Sequence, residues 1–123
     1  MALKLLDVLT NEEYALPVNK EVRIGRSLGN DIIIPSLKYK LSHAGDDNTY
    51  QSLGHISRFH ATVTALEGDE ALVKDTSKNG IYISDSEEKV SREGTKIKTG
   101  RMIVFGDTSR RIFHYYLFKL VKE

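Results

Sequence analysis

Short β-rich runs at residues 4–9, 21–24, 31–34, 60–66, 71–74, 81–83, 102–105 and 112–121 constrain this chain more than any other feature. Turn formers separate them, among them Gly29-Asn30-Asp31, Glu67-Gly68-Asp69, Ser77-Lys78-Asn79-Gly80 and Arg92-Glu93-Gly94. Short strands with turn signals at close spacing predict an all-β sandwich or barrel. No segment keeps a helical period. The best helical candidate, 11–16, is short and is stopped by Pro17, because proline lacks the N–H that a helix interior needs. There is no internal repeat.

The last run, "RRIFHYYLFKLV", is the most apolar. Alternation places Ile112, Tyr116, Phe118 and Leu120 on one face and Phe113, Tyr115 and Leu117 on the other. A strand apolar on both faces is expected to be central and covered. Its aromatic residues lack interleaved basic ones, so core packing explains them better than stacking on bases. Residues 35–54, "PSLKYKLSHAGDDNTYQSLG", are polar and without period and read as one long loop. Loops of that length inside a compact domain tend to carry function.

Composition narrows the function classes. With 123 residues the chain is one domain, residues 1–123, large enough to bury a core unaided. Its formal net charge of +1 gives no global field toward nucleic acid or anionic membrane, so an anion site must be a local cluster. Arg101, Arg110 and Arg111, without a wider basic patch, read as a solvated face rather than a nucleic-acid surface. The absence of cysteine removes disulfides, zinc–cysteine sites and thiol nucleophiles. No apolar run approaches the roughly 20 residues of a membrane span, and no signal-peptide pattern opens the chain. The expectation is a soluble intracellular protein, with no cofactor and no metal.

Three connections hold the residues of chemical interest. Gly25-Arg26 ends one run, Ser57-Arg58-Phe59-His60 leads into another, and Ser77-Lys78-Asn79-Gly80 joins two more. If they emerge at one end of a sandwich, they gather Arg26, Ser57, Arg58, Lys78 and Asn79 on a rigid base. Guanidinium offers two parallel donors to phosphate oxygens, a serine hydroxyl offers one neutral donor, and an ammonium adds a point charge. Such a set suits a phosphorylated side chain, which carries about −1.5 to −2 charges at neutral pH. Each piece alone has a plainer explanation. Gly-Arg at a strand end is usually a bulge beside a solvated arginine, Asn-Gly is usually a turn needing positive φ, and Ser-x-x-His is usually a structural hydrogen bond.

In this order and on these loops, however, the pieces resemble the forkhead-associated (FHA) domain, a phosphothreonine-recognition module. The resemblance covers residues 22–106. It rests on "IGRSLGNDIII" (24–34), "HISRFHATV" (55–63), "VKDTSKNGIYI" (73–83) and "GTKIKTGRMIVFG" (94–106). It implies a two-sheet β-sandwich of about eleven strands and a phosphothreonine-containing protein or peptide as partner. It implies that Arg26 clamps the phosphate, with Gly25 permitting close backbone approach. Ser57 would donate to a phosphate oxygen and Arg58 would reach it from the next position. His60 would brace the loops, Asn79 would hydrogen-bond the peptide main chain with Gly80 as its structural companion, and Lys78 would also touch the phosphopeptide. The 35–54 loop is longer than the family's usual connection. After Asn79-Gly80, Ile81 and "SDSEEKV" (84–90) replace the family's usual threonine and second Asn-Gly turn.

Two other readings compete with phosphate-dependent binding. An enzyme would use Ser57 as nucleophile and His60 as base, but no G-x-S-x-G or comparable signature accompanies them. A scaffold of the same fold that binds without phosphate would work through a sheet face or the long loop, and the retained Arg26, Ser57 and Asn79 argue against it. FHA domains usually sit in longer chains, including checkpoint and cell-cycle kinases, transcription factors, DNA-repair scaffolds and bacterial regulators. The chain is therefore expected to be a fragment of a longer protein. A nuclear location follows only from the eukaryotic majority of that resemblance, and no basic cluster accompanies it.

Overall fold

The computed structural model describes residues 2–42, 56–77, 80–83, 88–105 and 116–122. The described strands are β1 (Leu3–Asp7), β2 (Glu13–Leu16), β3 (Glu21–Gly25), β4 (Ile32–Ile33), β5 (Ala61–Ala65), β6 (Glu70–Asp75), β7 (Ile81–Ile83), β8 (Glu88–Lys89), β9 (Thr95–Lys98), β10 (Met102–Phe105) and β11 (Tyr116–Lys122). They form two sheets, one of six strands in the order β2-β1-β11-β10-β7-β8 and one of five in the order β4-β3-β5-β6-β9. All pairings between these strands are antiparallel except β3 with β4. The expected two-sheet sandwich is the observed fold.

Alternation explains why these residues form sheets. In β5 the side chains of Ala61, Val63 and Ala65 are buried while Thr62 and Thr64 are half-buried, and β6 repeats the pattern with Ala71, Val73 and Asp75 inward. Ile24, Val63, Val73, Ile103, Phe105, Phe118 and Leu120 are fully buried in the single core between the sheets. The last strand is central, between β1 and β10. Only one of its faces is closed: Tyr116, Phe118 and Leu120 are buried, whereas Leu117 and Lys119 are half-exposed.

Two local readings of the sequence are corrected. The stretch 11–16, which has no place among the expected strands and is too short for a helix, contains the strand β2 (Glu13–Leu16), paired with β1 from Leu3↔Leu16 to Leu6↔Glu13. The turn before it supplies the reason. The Asp7 carboxylate accepts the N–H groups of Leu9 and Thr10, and Asn11 takes a φ of 67°, which reverses the chain onto β1. The 35–54 segment is not all loop, since it begins with helix α1 (Leu37–Ser42). Ser36 caps this helix by accepting the Tyr39 N–H at 3.2 Å, and Tyr39 is buried against Tyr116 with ring centroids 5.5 Å apart. Residues 43–54 lie outside the described residues.

Candidate functional site: a row of loops

The loop after β3 and the loop before β5 are joined by their backbones. Arg26 N–H donates to the Ser57 carbonyl and Ser27 N–H to the Arg58 carbonyl, both at 3.1 Å. Their contact is so close that a Cβ on residue 25 would lie 2.2 Å from the Arg58 carbonyl oxygen, so only glycine fits. Arg26, Ser57 and Arg58 are thereby held side by side on adjacent loops. Both arginine side chains are exposed, and neither makes an ion pair with another described residue. Ser57 is half-buried.

His60 lies beneath them, fully buried, with its ring 5.1 Å from that of Phe105. Its Nδ1 accepts the Ser57 N–H at 3.0 Å, and Nε2 lies 2.9 Å from the Gly80 carbonyl. A ring nitrogen that accepts an N–H carries no proton, so Nε2 holds the proton and donates it to Gly80. One neutral tautomer thus ties the 57–60 loop to the 77–80 turn. Both ring nitrogens are engaged with backbone groups, so His60 has no lone pair directed at the Ser57 hydroxyl. The geometry contradicts a nucleophile–base pair.

The third loop is anchored from inside. Ser77 Oγ accepts the Gly80 N–H at 2.7 Å and donates to Asp75 Oδ1, which also accepts the Ser77 N–H at 2.8 Å. Gly80 takes a φ of +99°, the left-handed region that glycine reaches without strain. Thr76 links this loop to the second, its N–H donating to the His60 carbonyl and its Oγ1 to the Phe59 carbonyl. Lys78 and Asn79 lie outside the described residues, as do Arg110 and Arg111. Arg101 is described and half-buried at the start of β10.

Sequence reasoning missed two groups that shape the site. Asn30 is buried and donates through Nδ2 to the carbonyls of Ser27 (2.8 Å) and Arg58 (2.7 Å), cross-linking the first two loops. Its partners are backbone groups, one of them 28 residues away, and no spacing signals that. Ser77 with Asp75 carried a readable sign, since an Asp two residues before a Ser and five before a Gly fits a side-chain-bonded turn. Among the described residues no group of three or more His, Asp or Glu is placed to hold a metal ion, and no helix is long and apolar enough to cross a membrane.

The FHA domain family model matches residues 22–106, which contain every residue of the loop row. No curated protein matches in sequence. Among solved structures, the FHA domain of the CT664 protein from Chlamydia trachomatis is similar over 100% of this chain and 99% of its own, with a TM-score of 0.68 and 20% identity. The N-terminal FHA domain of S. cerevisiae Rad53p, solved in complex with a phosphothreonine peptide, is similar over 100% of this chain and 94% of its own, with a TM-score of 0.69 and 13% identity. Mycobacterium tuberculosis EmbR, in complex with a low affinity phosphopeptide, matches with a TM-score of 0.62 and 22% identity, over 100% of this chain and 25% of its own.

Proposed function

The chain belongs to the FHA domain family, and from that premise we propose that it recognises phosphothreonine in a partner protein and so assembles complexes in response to kinase activity. The observation that carries this reading is the doubly hydrogen-bonded contact of the Arg26 and Ser57-Arg58 loops over Gly25. It presents two exposed guanidinium groups, neither in an ion pair with another described residue, and a hydroxyl on a surface fixed from below by His60. Phosphorylation would add the charge-assisted hydrogen bonds that decide binding, and an unmodified threonine would leave both arginines without an anion. In this proposal Arg26, Ser57 and Arg58 bind the phosphate, Asn79 and Lys78 contact the peptide, and Gly25, His60 and Gly80 keep the loops in shape. The threonine methyl would enter a small apolar recess, a contribution of about 1 kcal/mol over phosphoserine. A nuclear role in cell-cycle or DNA-damage signalling, within a longer protein, is the finer part of the proposal. Locating a tagged full-length protein tests it.

The central test is titration with a phosphothreonine peptide library, its phosphoserine twin and the unphosphorylated control. Selective binding to the first set is expected. Arg26→Ala should weaken it about tenfold or more, through loss of a bidentate charged contact. Near-native affinity in that variant would remove Arg26 from the site, and no phosphopeptide binding by the native chain would leave a phosphate-independent scaffold. Asn79→Ala should weaken binding with an unchanged melting temperature, and a collapsed melt would make Asn79 structural instead.

A further inference from the structure

The loops at this end of the five-stranded sheet follow its strand order, so a fourth loop, 90–94 before β9, stands beside the 75–80 turn. The two are bonded from Asp75 N–H to the Ser91 carbonyl at 3.1 Å. Between them lies a cleft of about 360 Å³ whose lining includes Asp75, Ser77, Gly80, Lys89 and Arg92. Arg92 Nη2 donates to the Ser77 carbonyl at 3.2 Å. That bond steadies the guanidinium against the turn and uses one of its five N–H donors. Lys89 reaches the same turn from β8, its Cε 3.6 Å from where a Cβ on Gly80 would stand.

Among the described residues that line the cleft, the two exposed charges are both positive. Lys89 and Arg92 are both exposed, and neither forms an ion pair with another described residue. The carboxylate among the described lining residues, Asp75, is buried and turns Oδ1 to the N–H and Oγ–H of Ser77. A role for Arg92 in clipping the turn accounts for one hydrogen bond but not for a second cation beside it. Neighbouring strands stand about 4.8 Å apart, so the loop of Arg92 is two spacings, roughly 10 Å, from that of Ser57. An extended peptide covers that distance in a few residues.

We infer that this cleft is a second subsite of the same peptide-binding surface, taking an acidic side chain, carboxylate or phosphate, a few residues from the phosphothreonine. The inference rests on the phosphothreonine reading and extends it from one anion to two. The test uses one phosphothreonine peptide with alanine at all flanking positions and a series in which a single Glu is walked through them, with a matching phosphoserine series. At one position Glu should raise the affinity of the native chain about three- to tenfold, and that gain should shrink as salt is added. Lys89→Ala should abolish the gain and leave the all-alanine phosphopeptide bound as before. Arg92→Lys, which keeps the charge, should retain part of it. A larger gain from phosphoserine than from Glu at that position identifies phosphate as the occupant, and an equal or smaller one identifies carboxylate. Absence of any favoured position, or an equal loss for every peptide in Lys89→Ala, overturns the second subsite while the phosphothreonine site stands. Failure of every phosphothreonine peptide in the series to bind overturns both.

Discussion

Two buried polar clusters occupy the same end of the sandwich, one under the loop row and one under helix α1, and they are built on different plans. Phe105 links them, pairing with Ile81 on one side and Tyr116 on the other while stacking on His60. Under the loop row, the partners of His60 named above are all main-chain groups, and Asn30 and Thr76 likewise bond to carbonyls. The Ser77–Asp75 pair is a side-chain exception there, whereas under the helix bonds between side chains that are far apart in sequence join those to the backbone. Tyr116 OH donates to Asp7 Oδ2, Ser36 Oγ donates to Glu12 Oε1 at 2.7 Å, and Lys38 Nζ reaches the Thr10 carbonyl at 2.6 Å. A cluster that bonds to backbone fixes the course of the loops and leaves their own side chains facing solvent. One that consumes side chains anchors an element and presents little to a ligand. In the proposed reading the first cluster serves recognition, and the second attaches α1.

The largest expected effect would break this division. Tyr116→Ala removes a fully buried ring packed on Phe118 and Tyr39 and leaves Asp7 without its hydroxyl, a loss of about 3–5 kcal/mol in urea unfolding. The folded fraction should still bind phosphopeptide within about twofold of the native affinity. A parallel collapse of affinity would make the two clusters one unit. His60→Ala comes next. It strands the Ser57 N–H and the Gly80 carbonyl and empties space against Phe105, costing roughly 2–4 kcal/mol. Because the loops lose their tie, binding should fall about tenfold as well. Unchanged stability with lost binding would instead place His60 in direct contact with the ligand.

The same contrast marks what the sequence made legible. β3, β5, β6, β7 and β10 announce themselves because alternation and turn formers are local properties, and Arg26 and Ser57 stand out because charged and hydroxyl groups beside a strand end are conspicuous. Residues 11–16 are different. Their Glu-Glu-Tyr-Ala-Leu core is compatible with either a helix or a strand, and pairing with β1 across the Asp7 turn decides the outcome, a tertiary effect. Helix α1 escapes notice because it has six residues and buries Tyr39 alone. Nothing in the run 4–9 signals that Asp7 would be fully buried, since its hydroxyl partner is 109 residues away. Backbone-directed groups such as Asn30 are the least visible of all, because every residue offers the same carbonyl.

Smaller effects sharpen the comparison from the side of the helix. Ser36→Ala removes the cap of α1 and the hydrogen bond to Glu12, a loss of about 1 kcal/mol. Phosphopeptide affinity should not change, and a loss of affinity equal to that of His60→Ala would show that α1 helps to shape the binding loops.

The smallest effect is a slope. Burial pushes the Asp7 carboxyl above its ordinary value of 3.8, against the opposing hydrogen bonds from Tyr116, Leu9 and Thr10. The folded chain therefore holds that proton more tightly than the unfolded chain, so the associated stability is complete below 3.8 and is lost as pH rises through the raised folded value. Glu12 has the opposite sign. The Ser36 hydroxyl lowers its carboxyl below 4.5, and its contribution, present above that value, is lost as pH falls through the lowered folded one. Asp7→Asn keeps an oxygen for the Leu9 and Thr10 N–H groups and turns an amide to the Tyr116 hydroxyl, which can then accept. In this variant, thermal melts from about pH 2.5 to about pH 7 should lack the decline that Asp7 imposes on the native chain and keep the acid-side loss due to Glu12. Parallel curves for the two proteins would mean that the Asp7 carboxylate is fully compensated by its three donors. The Asp7–Tyr116 part of the second cluster would then add no slope of its own, and Glu12 would carry the pH dependence that remains.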